Sequence, residues 1–240
     1  ASSVTLLTGA ATQLVSVVTS AGITLNGTEA ITLTDTGTVA ATDLITIDGR
    51  TTGVVNALSI AAISGAATTI ALAITAAGIT LSGTEAVTLS ETSLGAVTLS
   101  TIDGAVAGVV TATNLTQLTG TTAEVLAVVT ASGVSLSGAE VVTLSNTGTV
   151  AAADLITIDG RTSGNVNATA AAAISGAATT IALAITAGGI SYSGNETVTL
   201  SETSLGAATL FTIDGATTGL VTASSVTLLT GAATQLVSVV

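Results

Sequence analysis

In ITLSGTEAVTLSETSLGAVTLSTIDGAVAG, residues 79–108, apolar and polar positions alternate twice and then stop alternating. ITLS and AVTLS carry the two-residue period of half-buried strands, with Ile79 and Leu81 facing one way and Thr80 and Ser82 the other. The SLGAVTLSTIDG that follows reads as a short helix, with Thr92 or Ser93 placed to cap its start and Gly104 where a left-handed residue closes a helix. Further on, Thr121-Thr122-Ala123-Glu124 has the T-x-x-E spacing of a capping box opening TAEVLAVVTA, with Gly133 past its end. Val, Ile and Thr are β-branched and weak helix formers, so an all-β solenoid stays open as the alternative. The helix-like punctuation favours an α/β reading.

The pattern recurs. DLITIDGRTTGVVNA (43–57) returns as DLITIDGRTSGNVNA (154–168), and ISGAATTIALAITA (63–76) returns unchanged at 174–187, a displacement of 111 in both cases. Each 111-residue block divides again, because TIDG begins at 46, 101, 157 and 212, and Glu29, Glu85, Glu140 and Glu196 keep the same beat. Each 55- or 56-residue unit has two halves ending in Gly, exemplified by 54–78 and 79–108. The expectation is one continuous tandem-repeat solenoid over 1–240, with about eight and a half coils of alternating length, roughly 25 and roughly 30 residues. Stacked parallel strands and short helices bury faces that one coil alone leaves open. ASSVTLLTGAATQLVSVV opens the sequence at 1–18 and returns at 223–240, so the chain reads as part of a longer array, or as one stacking end to end with copies of itself.

The layout resembles leucine-rich-repeat solenoids in plan, without their Asn motif. The sequence pattern TLSG-EAVTLS-IDGATTG-VTASSVT-LTG-A, which runs through the whole chain, resembles the repeats of very long surface proteins of cyanobacteria and marine bacteria. That resemblance implies an extracellular structural or adhesive role and carries over no site residues.

Composition narrows the chemistry. The chain is 48% hydrophobic yet 1% aromatic, with no Pro, Cys, Met, His or Trp, about a fifth threonine, and 7% charged residues where about 25% is usual. Disorder is excluded by the mean hydropathy of +0.87. Thr, Ser or Gly interrupts every apolar run, so no membrane-spanning segment is expected. Net charge is −12, and Arg50 and Arg161 are the only cations, which argues against nucleic acid. Without His, Cys or Lys, the usual nucleophilic triads and soft zinc sites cannot be assembled. No catalytic, cofactor-binding or metal residue is expected, and no small-molecule substrate.

Three recurring features carry open alternatives. Asp48, Asp103, Asp159 and Asp214 lie at helix ends, where their charge opposes the helix dipole. They read as turn residues taking local amide hydrogen bonds, with calcium as the rival; coils two apart are separated by about 10 Å, too far to share an ion. Thr24 and Asn26, Thr80 and Ser82, Ser135 and Ser137, and Ser191 and Ser193 read as hydroxyl rows that pair across strands, face a neighbouring chain in a bundle, or meet ice. Arg50 and Arg161 stand just beyond helix ends, where a cation suits the dipole. Sequons at Asn26, Asn114, Asn167 and Asn195 are what this much Thr produces by chance. Function is therefore expected to be structural: a repeat segment of an extracellular filament, sheath or surface fibre, with an adhesin stalk or an ice- or surface-binding solenoid as alternatives.

Overall fold

The computed structural model describes residues 4–237, which form an α/β arrangement of short parallel strands and short helices. The chain folds as two compact units built from interleaved segments. The first takes the chain up to Thr92, Thr98–Leu115 and Ala131–Ser137; the second takes Ser93–Val97, Thr116–Thr130 and the chain from Gly138.

In chain order the elements begin with β1 (Leu6–Gly9), α1 (Ala11–Val18), β2 (Ala30–Leu33), β3 (Thr38–Ala40), α2 (Ala41–Asp48), β4 (Val55–Asn56) and β5 (Ala62–Gly65). They continue with α3 (Ala67–Thr75), β6 (Ile79–Thr80), β7 (Ala86–Leu89), β8 (Ser93–Gly95), α4 (Ala96–Ala105), β9 (Val110–Thr111), β10 (Gln117–Gly120) and α5 (Thr122–Val129). Next come β11 (Val134–Ser135), β12 (Val141–Leu144), β13 (Thr149–Ala151), α6 (Ala152–Asp159), β14 (Val166–Asn167) and β15 (Ala173–Gly176). The last are α7 (Ala178–Thr186), β16 (Ile190–Ser191), β17 (Thr197–Leu200), β18 (Ser204–Gly206), α8 (Ala207–Ala216), β19 (Val221–Thr222), β20 (Leu228–Thr230) and α9 (Ala233–Val237).

The first unit holds two parallel sheets, ordered β1-β2-β4-β6 and β3-β5-β7-β9-β11. The second holds three, ordered β8-β10-β12-β14-β16, β13-β15-β17-β19 and β18-β20. Every described pairing is parallel and nearly all advance by the same step. Leu6 pairs Ala30, Val55 pairs Ile79, Thr149 pairs Ala173 and Ser204 pairs Leu228, with the same interval of 24 in all four. The step is one shorter at Val87↔Val110 and Val198↔Val221. The strand ladder therefore shows no alternation of short and long steps. What alternates is the spacing of helix starts, longer from Ala11 to Ala41 and from Ala67 to Ala96, shorter from Ala41 to Ala67 and from Ala96 to Thr122. Strand pairing is set by backbone geometry, so the ladder keeps one pitch while the sequence repeat moves along it.

The two-residue alternation places one row of each sheet inside. Ile31, Val55 and Ile79 form such a row in the first unit, as do Ile63, Val87 and Val110, all 8% exposed or less. In the second unit Leu118, Val142, Val166 and Ile190 do the same. Helices add a narrow stripe with every third residue inside, as with Ala41, Leu44 and Ile47 on α2 and Ala152, Leu155 and Ile158 on α6, all fully buried. Burying each Leu or Ile stabilises by roughly 1.5–3 kcal/mol, so these rows carry the core without aromatic residues.

Helices prevail over the all-β alternative, and several of their threonine hydroxyls are satisfied within them. Thr46, Thr75, Thr130, Thr157 and Thr186 each donate the hydroxyl to the carbonyl one helical turn back, at 2.6–2.8 Å. That bond gives the β-branched side chain a partner inside the helix. The boundaries of the SLGAVTLSTIDG helix move. Ser93 belongs to strand β8, α4 starts at Ala96, and Gly104 lies inside the helix. Gly104 is not among the left-handed glycines, and Gly49 and Gly160, which close α2 and α6, are right-handed at φ −66° and −68°. The capping box of α5 is as expected: Thr121 Oγ1 accepts from the Glu124 amide, and the Glu124 carboxylate accepts from the Thr121 amide at 2.8 Å.

Candidate functional site

The ladder step brings together side chains that the sequence repeat keeps apart. The first amide of α1, Ala11 N, donates to Asp35 Oδ2 at 2.8 Å. The first amide of α5, Thr122 N, donates to Asn146 Oδ1 at 2.7 Å, and the Thr122 hydroxyl donates to the same oxygen at 2.8 Å. Ala67 N on α3 and Ala178 N on α7 donate to Glu91 and Glu202 in the same way. In each case the acceptor is one ladder step ahead of the helix start. A helix exposes four unpaired N–H groups at its beginning, so an acceptor there, above all an anionic one, is stabilising. For α2, α4, α6 and α8 the same step leads to Gly65, Gly120, Gly176 and Gly231. The Cβ of Ala41 lies 3.7 Å from where a β-carbon on Gly65 would stand. The longer helix spacing leaves a loop residue free to cap, and the shorter one puts a strand-end glycine there.

The glutamates that share the beat of the TIDG motif form a second set. Glu29, Glu85, Glu140 and Glu196 are all 2% exposed or less. Each sits in an N/S-G-x-E turn whose glycine is left-handed, at φ 76°, 80°, 75° and 82° for Gly27, Gly83, Gly138 and Gly194. Within the turn the carboxylate takes main-chain amides: Asn26 N to Glu29 at 2.7 Å, Ser82 N to Glu85 at 2.6 Å, Gly138 N to Glu140 at 3.2 Å and Ser193 N to Glu196 at 2.6 Å. Burial pushes the Glu29 carboxyl up, but the amides of Glu29, Asn26, Gly27 and Thr28 outweigh it and hold it below its ordinary value. The sequence marked these positions as a beat without marking their burial.

The next turn closes on the same glutamates through the main chain. Thr51 Oγ1 donates to the Glu29 carbonyl at 2.6 Å and accepts Gly53 N at 2.9 Å. Thr162 and Thr217 repeat this with Glu140 and Glu196. At Gly53 a β-carbon would lie 2.3 Å from the Glu29 carbonyl oxygen, which explains the glycine of the TTG motif.

The Asp column, Asp48, Asp103, Asp159 and Asp214, keeps the same place on alternate helices, seven residues after the first residue of α2, α4, α6 and α8. Asp48, Asp103 and Asp159 each lie against the glycine that precedes a later strand: a β-carbon on Gly78, Gly133 or Gly189 would fall 2.0–2.2 Å from the aspartate Oδ1. Among the described residues no group of three or more His, Cys, Asp or Glu stands close enough to hold a metal ion.

The hydroxyl rows exist with different members. In the first unit Thr8, Thr32, Asn56 and Thr80 pair in succession, and so do Ser64, Thr88, Thr111 and Ser135. Thr80 and Ser135, expected in one row, therefore lie in different sheets. In the second unit Thr119, Thr143, Asn167 and Ser191 pair in succession, and so do Ser175, Thr199 and Thr222. Ser82 and Ser193 instead turn to their glutamates, Ser82 Oγ donating to Glu85 at 2.7 Å. Tyr192, beside Ser191, has its hydroxyl buried without a hydrogen-bond partner among the described residues; burial, with Glu196 and Asp159 nearby, pushes its phenol well above the ordinary value. Arg50 and Arg161 are exposed, just beyond the ends of α2 and α6.

The fold and these contacts define an α/β protein of parallel sheets, in which recurrent acids cap helices and tie turns. No protein-family profile, curated protein or solved structure matches the chain.

Proposed function

We propose that the chain is a non-catalytic structural protein, a stretch of tandem-repeat solenoid built into an extracellular filament, sheath or surface fibre. Its partner in this reading is another copy of itself, joined end to end or side by side. The observation that carries the proposal is how the polar side chains are used. Asp35, Glu91, Asn146 and Glu202 cap helices one ladder step away, and the four buried glutamates hold their own turns. Groups that would serve chemistry in a cleft are here spent on joining each turn to the next, and they recur at the period of the array rather than converging on one place. The scarcity of cations speaks against nucleic acid as a partner. Among the described residues no helix is long and apolar enough to cross a membrane.

Electron microscopy and small-angle scattering of the purified chain over a range of concentrations test this. Rods that lengthen or associate into filaments are the expected result. Compact particles that stay monodisperse at every concentration would remove the reading, and isolated flexible rods would favour a stalk.

A further inference from the structure

One unit of the repeat departs from the others at a single position of the turn that follows TIDG: Val106 stands where the others have Thr51, Thr162 and Thr217, and Ala105 before it, like Ala216, takes the place of Arg50 and Arg161. Val106 cannot make the two hydrogen bonds of Thr51, to the Glu29 carbonyl and from Gly53 N. Local consistency is given up here, which is where sites are found in otherwise regular proteins.

The departure changes a cavity. Beside Arg50 lies a space of about 370 Å³, bordered by Val18, Ile23, Thr24 and Gly27 and not by Glu29. The equivalent space beside Ala105, about 310 Å³, has Ile74, Ile79 and Val106 as apolar wall and Thr80 and Glu85 as polar groups. Glu85 is 1% exposed. Its Oε1 takes Ser82 N and Oγ, and its Oε2 is buried with no hydrogen-bond partner among the described residues, which holds for no carboxylate oxygen of the other three turn glutamates. A buried carboxylate oxygen without a donor is costly and invites a cation.

A divalent metal needs several oxygen ligands, and no cluster of three acids stands here among the described residues. An ammonium group carries three N–H donors, which suit one carboxylate oxygen, one hydroxyl and one water. The space corresponds to roughly ten water molecules at about 30 Å³ each, enough for a short alkyl chain. We propose that the cavity beside Glu85 binds a primary alkylammonium group, its charge on Glu85 and Thr80 and its carbon chain against Ile74, Ile79 and Val106. The chain contains no lysine, so the amine comes from a free molecule or from the side chain of a different protein.

The test is a titration of the ¹⁵N-labelled full chain with butylammonium chloride at neutral pH, against sodium chloride at equal ionic strength. Saturable shifts are expected at the amides of Ser82, Gly83, Glu85 and Val106, lost in Ala105→Arg and in Glu85→Gln. Ala105→Arg installs the residue that the fold already accepts at Arg50 and Arg161, so it decides the matter if Glu85→Gln fails to fold. Shifts equal to the sodium blank, or unchanged in Ala105→Arg, would overturn the proposal. A second titration with Nα-acetyl-lysine N-methylamide separates the sources: saturation by both probes supports a protein side chain, and saturation by butylammonium alone supports a free amine.

Discussion

Asp35 receives the main-chain N–H of Ala11, one ladder step behind it, at 2.8 Å, and so the start of α1 is capped from the following strand-to-strand loop rather than from its own. Ala10 and Ala66, the residues before α1 and α3, have no side chain able to do this. Helix formation and ladder register are thereby made to depend on each other.

That dependence is measurable at Asn146. Replacing it by Ala strips the acceptor from both Thr122 N and Thr122 Oγ1, on a residue only 5% exposed. The expected loss is about 1–3 kcal/mol, read from denaturant unfolding. Asn146→Asp should be neutral or stabilising, because an anion suits a helix start. A neutral Asn146→Ala would mean that the cap contributes nothing.

Acid should loosen the turns. Glu29 is held below its ordinary value of 4.5, with burial opposing and main-chain amides prevailing. A depressed carboxyl contributes stability that is complete above 4.5 and is lost as pH falls through the folded value. Denaturant midpoints measured from neutral pH downward should fall in that acid range, and Glu29→Gln should flatten the fall.

Two glycines with different surroundings separate sterics from flexibility. A β-carbon at Gly53 meets the Glu29 carbonyl oxygen at 2.3 Å, whereas one at Gly37 meets nothing within 4 Å. Gly53→Ala should cost about 1–3 kcal/mol or more, and Gly37→Ala should stay within about 0.5 kcal/mol of the parent. Equal midpoints for the two would contradict the close approach.

Overpacking distinguishes the two faces of α3. Ala73 is 1% exposed while Ala71 is half-buried, so Ala73→Phe should cost about 1–3 kcal/mol and Ala71→Phe less. Thermal melts of both variants check this.

If the acids serve as caps, no ion is needed. EDTA should leave the melting temperature unchanged, and a drop restored by calcium would assign the Asp column an ion after all.

Much of this architecture was legible in the residues. AVTLS at 86–90 alternates as the strand β7 does, with Val87 and Leu89 inside, and the Thr121–Glu124 box marks the start of α5. The starts of α4 and α8 were harder to read, because the residues before them form the short strands β8 and β18 and carry no capping side chain. Ser82 read as an outward ladder hydroxyl, and its bond to Glu85 depends on the left-handed turn at Gly83. The contacts from Asp35, Glu91, Asn146 and Glu202 could not be read at all. Their offset of 24 belongs to strand pairing, and neither TIDG nor ISGAATT recurs at that interval.

The mismatch between ladder and repeat works as a vernier. Two ladder steps lead from Ile31 through Val55 to Ile79 and stop short of Val87, the residue one repeat on from Ile31, so successive copies fall out of line with each other. LLTG lies beside AITL, AITL beside VN and VN beside IT, and unlike strands are neighbours along this ladder. Fibrils of the cross-β kind grow by laying identical segments in register on one another. A chain this repetitive, β-branched and poor in charge carries that hazard in its letters, and a pitch incommensurate with its own period keeps identical segments from becoming neighbours within the native ladders.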